Sequence, residues 1–189
     1  MNGWTLPKSV SISGKNYHVH ADYRDILDII AHLTDTEQPE PIRLYVAMAL
    51  FYDEFSDMPE ADFGEALRRM YEFINCGEAE STENASRRAK TIDWEQDRPM
   101  IVADINKVAG CEIRNLSFCH WWTFIGWFNS IGDGQLATVV SIREKRRKGK
   151  KLSEWERDFY RDNREKIEFK TKYSISEKTV LNEWLGKRG

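Results

Sequence analysis

Hydrophobic and polar residues along the chain change period several times, and each change predicts an element. Val10 and Ile12 alternate with polar neighbours, as do Tyr17 and Val19, and Ser13-Gly14-Lys15-Asn16 between them has turn chemistry. The pattern predicts a β-hairpin at the N-terminus. From Asp22, which suits a helix N-cap, the period becomes helical: Tyr23, Ile26, Leu27, Ile30 and Leu33 fall on one stripe, with Arg24, Asp25 and Asp28 off it. Thr34 to Pro41 is a turn-rich connector, and Pro41 suits the first turn of a second helix to about Phe55 that is apolar nearly all round. A third helix follows Pro59, with Phe63, Ala66, Leu67, Met70, Tyr71 and Ile74 as its stripe and Gly77 where a left-handed C-terminal cap belongs.

Glu78 to Thr91 has no apolar period and predicts a mobile loop inside the domain. Asp97-Arg98-Pro99 opens a fourth helix that Gly110 ends. Ser117 is the expected cap of a fifth helix reaching Ile131, whose Phe118, Trp121, Trp122, Phe124, Ile125, Trp127 and Phe128 leave little polar face. Such a helix must be covered by neighbours or by a partner, and it is the expected centre of the core. A sixth helix from Gln135 runs into the basic stretch Arg143 to Lys151. Ser153-Glu154-Trp155-Glu156 is a capping-box pattern opening a charged helix striped only by Leu152, Trp155 and Phe159. A last short helix, Ser176 to Leu185, carries Val180, Leu181, Trp184 and Leu185. The fold class expected is mainly α: one helical domain with a small N-terminal β-hairpin and a charged C-terminal helical arm.

Length and charge narrow the function classes. With 189 residues, 41% of them hydrophobic, one sizeable core is expected and two independent ones are not. A net charge of −3 argues against a protein built overall to neutralise phosphates, so any nucleic-acid role must be local. Cys76, Cys111 and Cys119 are odd in number and not closely spaced, which points to a reducing compartment and buried thiols. Met1 to Gly14 lacks the charged and apolar regions of a signal peptide, and Phe118 to Ile131 is short of the ~20 apolar residues of a membrane span.

Candidate chemistry is sparse. Gly132-Asp133-Gly134-Gln135-Leu136-Ala137 fits G-x-G-x-x-A, but it follows a predicted helix where a dinucleotide fingerprint needs a strand, so it reads as a helix-to-helix turn. His18, His20, Cys119 and His120 are soft ligands without the paired spacing of structural zinc. Asp93, Glu95 and Asp97 could hold a hard cation, but carboxylates ahead of a helix more simply favour its positive end. Neither catalytic residues nor a cofactor or metal site is expected. Arg143, Lys145, Arg146, Arg147, Lys148, Lys150 and Lys151 form the one strong charge feature, against the single acid Glu144. No aromatic residue is interleaved for base stacking, and Glu154, Glu156 and Asp158 follow, so a solvated or protein-binding face is favoured over nucleic acid.

Several stretches together carry a resemblance. They are Asp22-Tyr23-Arg24-Asp25-Ile26-Leu27, Phe51-Tyr52, Asp93-Trp94, Asp97-Arg98-Pro99-Met100-Ile101-Val102-Ala103-Asp104, His120-Trp121-Trp122-Thr123-Phe124, Phe128-Asn129 and Phe159-Tyr160. In this order the chain resembles a family of small bacteriophage tail-region proteins labelled "gene product fifteen" and regarded as tail assembly chaperones. The resemblance implies a phage or prophage protein, made in the host bacterial cytoplasm or carried in the virion tail. It would keep the tape-measure protein soluble until tail tube polymerises around it. It brings no catalytic residues. The tape-measure protein is thus the expected partner, with tail tube protein and a second copy of the chain as further candidates. Residues 1–175 form the expected tail-assembly-like domain and 176–189 a short C-terminal helix or tail without a clear counterpart in the family. The residues expected to touch a protein client are Trp121, Trp122, Trp127, Trp155, Phe159, Trp184 and Leu185, although such a density of tryptophan around Trp121 is more often core. The rival readings are a structural tail protein and a nucleic-acid module using residues 143–151.

Overall fold

The hairpin forms as its alternation requires. In the computed structural model, which describes residues 4–78 and 91–170, β1 (Ser9–Ile12) pairs antiparallel with β2 (Lys15–His18), placing Val10 opposite Tyr17. Val10, Ile12 and Tyr17 are buried together, and Ser13 and Gly14 turn the chain with φ of 48° and 81°. Two positive φ values in succession match the right-handed twist of the strands. The Ser13 hydroxyl donates to Asp62 Oδ1 at 2.6 Å, tying the hairpin tip to the start of α3 (Phe63–Ile74).

The chain after β2 stays extended and becomes a seam. Val19 bridges to Tyr52, the His20 N–H donates to the Phe51 carbonyl, and Asp22 bridges to His120. Asp22 also caps α1 (Tyr23–Leu33) by accepting from the Arg24 N–H. The predicted stripe of α1 is rotated slightly, with Tyr23, Ile26 and Ile29 buried. Pro41 does occupy the first turn of α2 (Glu40–Phe51), which stops short of Phe55 because Tyr52 leaves the helix to bridge Val19. Phe55–Asp57 forms a separate 3-10 turn.

Chain contacts divide the protein into two compact units, Met1–Thr138 and Val139–Gly189. In the first, α1, α2 and α3 pack with α4 (Arg98–Ala109) and α5 (Trp121–Asn129). Phe51 lies edge-on to Phe73 at 5.2 Å, and Tyr23 stacks on Phe124 at 4.6 Å. The Tyr52 hydroxyl donates to the Ala66 carbonyl at 2.7 Å. Gly110 ends α4 in the left-handed region, as its position predicts. Gly77, after α3, is left-handed too, and so is Cys76 before it, at φ of 58°.

The fifth helix departs from expectation. It begins at Trp121, not after a Ser117 cap, and ends at Asn129. The backbone around Cys119 is committed elsewhere: its N–H donates to Asp22 Oδ2 at 2.8 Å and its carbonyl accepts from the Tyr23 N–H at 2.9 Å. A helix starting after Ser117 would need that carbonyl for its own ladder, and with it paired to Tyr23 the chain stays extended through His120, so Phe118 lies exposed outside α5. Only Trp121 and Phe124 of α5 are fully buried, so this helix enters the core by one edge.

The second unit holds the end of α6 (Gln135–Arg147), then α7 (Glu154–Asp162) and α8 (Arg164–Ile167). The capping box at Ser153 forms as predicted: Glu156 N–H donates to the Ser153 hydroxyl, and Ser153 N–H donates to Glu156 Oε2 at 2.8 Å. Among the described residues no helix is long and apolar enough to cross a membrane. The predicted loop lies, at residues 79–90, outside the described residues, as does the predicted helix Ser176 to Leu185 with Trp184 and Leu185.

Candidate functional site

The two adjacent tryptophans of α5 serve the fold directly. Trp121 Nε1 donates to the Ile74 carbonyl at 2.8 Å and Trp122 Nε1 to the Phe73 carbonyl at 2.9 Å. Both acceptors belong to the last turn of α3, whose carbonyls have no partner within their own helix. The paired indoles therefore cap a neighbouring helix. Trp121 is buried, while Trp122 and Trp127 are half-buried. The rim of Trp122 also rests against Gly77, whose missing side chain makes room for it.

His120 holds the start of α5. Its Nδ1 accepts from the Trp122 N–H at 3.1 Å, and its Nε2 lies 2.9 Å from the Pro7 carbonyl, an acceptor. That geometry demands the neutral ring with its proton on Nε2. Burial lowers the His120 pKa below its ordinary value of about 6.5. A depressed histidine favours folding when neutral, so its contribution is complete above the unfolded value and is lost as pH falls through the folded one. The melting temperature should fall as pH drops from 7 to 5, and His120→Asn, which can cap without titrating, should flatten that dependence. Equal slopes for the two proteins would refute the assignment.

The other sites suggested by residue type are also occupied by structure. Asp93 Oδ1 accepts from the Glu95 and Gln96 N–H groups, and Asp97 Oδ2 accepts from the Asp93 N–H at 2.9 Å. Asp97 is fully buried and turns back towards Asp93, so it does not cap α4. His18 pairs with Glu54 and His20 with Asp53. No group of three or more His, Cys, Asp or Glu side chains among the described residues is placed to hold a metal ion. Burial pushes the Cys76 and Cys119 thiols up to about 11, which keeps them protonated and unreactive.

The basic stretch is largely spent inside its own unit. Arg143 is buried, donates to the carbonyls of Ile167 and Lys166 at 2.7 Å each, and lies over the Phe169 ring. Lys145 pairs with Glu156, Arg146 lies over the Tyr160 ring, and Arg147 and Lys148 both reach Glu144. Lys150 and Lys151 are exposed on the connector to α7.

Apolar side chains on two helices are also open to solvent. On α2, Ile42, Tyr45 and Leu50 are exposed, with Ala49 on the same side, so neighbours within the chain do not cover every apolar position of this helix. On α7, Trp155 is 60% exposed and lies 5.5 Å from the half-buried ring of Phe159. Helix α2 was not among the expected binding residues. The signal for it was present in a helix with more apolar positions than one face can bury.

Residues 4–169 match the model of the family described as Bacteriophage Gp15 protein. The chain belongs to that family. It is a phage protein, and the resemblance read from its sequence is confirmed over nearly its whole length. No curated protein and no solved structure matches it.

In this Gp15 protein the stretches that carry the family likeness meet one another. Asp22, from the first, accepts from Arg24 and from the Cys119 N–H beside the His120-Trp121-Trp122 stretch, and Trp121 N–H donates to the Ala21 carbonyl. Asp104, at the end of another, is buried at the start of α6, where Oδ2 accepts from the Leu136 N–H at 3.2 Å and Oδ1 pairs with Lys107 at 2.8 Å. A side chain on Gly134 would lie 2.6 Å from Asp104 Oδ2. The glycine-rich turn thus cradles the protein's own carboxylate. Gly134→Ala should destabilise by about 1–3 kcal/mol through overpacking, and Gly132→Ala, with open space at the same atom, should be near neutral in urea unfolding. Matching midpoints would show that Asp104 moves aside freely.

Proposed function

We propose that this Gp15 protein is a tail assembly chaperone-like protein that binds the tape-measure protein and keeps it soluble in the host cytoplasm until the tail tube assembles. The observation that carries the reading is apolar helix surface open to solvent in a phage protein, on α2 at Ile42, Tyr45 and Leu50 and on α7 at Trp155. Amphipathic helical clients bind by laying an apolar stripe on such faces. Large exposed side chains cost solubility, and a binding role accounts for them. No step of this function requires covalent chemistry, in keeping with the raised pKa values of the half-buried Cys76 and buried Cys119 thiols and with carboxylates bound up in local turns.

Nucleic-acid binding is the weaker alternative. Arg143 is buried, and Lys145, Arg147 and Lys148 already face carboxylates. Phosphate recognition needs cations free to displace counterions. Co-expression with the tape-measure protein, followed by a sizing column, tests the proposal. The client should become soluble and co-elute with this chain, whose own elution alone reports any homo-oligomer. An insoluble client beside a soluble Gp15 protein would overturn the reading in favour of a structural role in the tail.

A further inference from the structure

The second unit presents a face whose chemistry specifies its occupant. Positions 155, 158, 159 and 162 of α7 fall on one side of a helix, and they hold Trp155, Asp158, Phe159 and Asp162. Trp155 and both aspartates are exposed, and the two rings adjoin at 5.5 Å. One cation serves the two acids: Arg161 lies 3.1 Å from Asp158 and 3.3 Å from Asp162. The neighbouring Arg157 donates instead to the Leu152 carbonyl, and Glu154 adds a further exposed acid at the start of the helix. The opposite side of α7 is already used, with Glu156 buried against Lys145 and Tyr160 bonded to Glu168. An aromatic stripe with an excess of negative charge is what remains available.

We infer that this face of α7 binds a cationic amphipathic helix, one with an apolar stripe flanked by lysine or arginine, seated on Trp155 and Phe159 with its cations against Asp158 and Asp162. The inference rests on the chaperone reading and states the client motif this face recognises. Charge complementarity decides for such a helix over an acidic one, which would set like charges together across a desolvated contact. A second copy of the chain is the lesser fit. Within its basic stretch, the exposed Lys150 and Lys151 lie on a connector whose neighbouring apolar residue is Leu152 alone, while Arg146, Arg147 and Lys148 already face carboxylates.

The test uses the full chain and two labelled helical peptides with the same leucine stripe, one with lysine and one with glutamate on the polar face. The leucine–lysine peptide should bind, and the leucine–glutamate peptide should bind at least tenfold more weakly. Trp155→Ala should weaken the first by about tenfold or more, as truncating an aromatic anchor does. The double variant Asp158→Asn, Asp162→Asn should weaken it severalfold and reduce its salt dependence. Because Trp155 is exposed, circular dichroism and the urea midpoint of its variant should match wild type. Unchanged binding by Trp155→Ala, or equal binding of both peptides, would overturn the inference. So would self-association lost in Trp155→Ala without peptide binding, which would assign the face to a second copy. Co-expression of Trp155→Ala with the tape-measure protein separates the two claims. A client solubilised equally by wild type and variant leaves the chaperone reading intact and removes this face from it. A client solubilised by neither, with peptide binding retained, keeps the face and removes the chaperone reading.

Discussion

Trp121→Ala should remove about 3–5 kcal/mol of stability, the range for truncating a large buried aromatic side chain. Trp121 is 2% exposed, stacks on Phe124 at 5.6 Å, meets Trp94 edge-on and donates its indole N–H to Ile74. Alanine would open a cavity beneath α5 and leave the Ile74 carbonyl without its indole donor at the end of α3, so two costs add. Against a typical total of about 5–15 kcal/mol, that is a large share of the stability. Trp121→Phe keeps most of the volume and loses only the donor, and should cost roughly 1–3 kcal/mol. Urea unfolding of the two variants separates packing from capping. A loss below ~1 kcal/mol for alanine would show that the site collapses around the cavity or that Trp121 is not core.

The second large effect is expected at Asp22. Its carboxylate accepts from the Arg24 N–H, the Arg24 guanidinium and the Cys119 N–H, joining the start of α1 to the chain entering α5. Asp22→Ala should lose a helix cap, worth about 0.5–2 kcal/mol, and leave the Cys119 N–H without its acceptor, at about 1–3 kcal/mol. Roughly 2–4 kcal/mol in total is the expected cost. The ion pair itself adds little, because the Arg24 side chain is 39% exposed and solvent screens it. Asp22→Asn keeps one acceptor oxygen and should fall between wild type and alanine. Hydrogen exchange at Cys119 provides an independent readout, since its amide should lose protection in the alanine variant and keep it in Arg24→Ala. A protected Cys119 amide in Asp22→Ala would show that another group takes over.

Both residues belong to stretches by which the family was recognised, and in this protein both hold separate parts of the chain together. Asp22 and Cys119 are distant in sequence, as are Trp121 and Ile74. Such contacts give no local period, so the pattern of hydrophobic residues identified Trp121 as apolar without revealing that its nitrogen caps α3. For the same reason Ser117 looked like a cap. Its spacing ahead of an apolar run is right, and only pairing with residues 21–23 prevents the helix from starting there.

The candidate site was legible in part. Trp155 and Phe159 were identifiable because a stripe that thin on a charged helix cannot be buried well, and Trp155 is exposed. Trp121 was named with them from the aromatic fifth helix, although its tryptophan density favours core, and it does belong to the core. The basic stretch read as one patch because charge in sequence is contiguous. In the folded unit the helix turns Arg143 inward and the following residues against carboxylates, so the patch is dispersed. The α2 surface was missed because covering a helix is a property of its neighbours.

Local physics accounts for what the sequence determined by itself. The hairpin, the helix order, the capping box at Ser153 and the left-handed glycines at 77 and 110 follow from propensities and hydrogen bonds within a few residues of one another. Tertiary structure decided which apolar faces are covered, where α5 begins, and which charges are spent inside the protein. Those outcomes depend on groups far apart in the chain competing for the same backbone donors and the same buried volume.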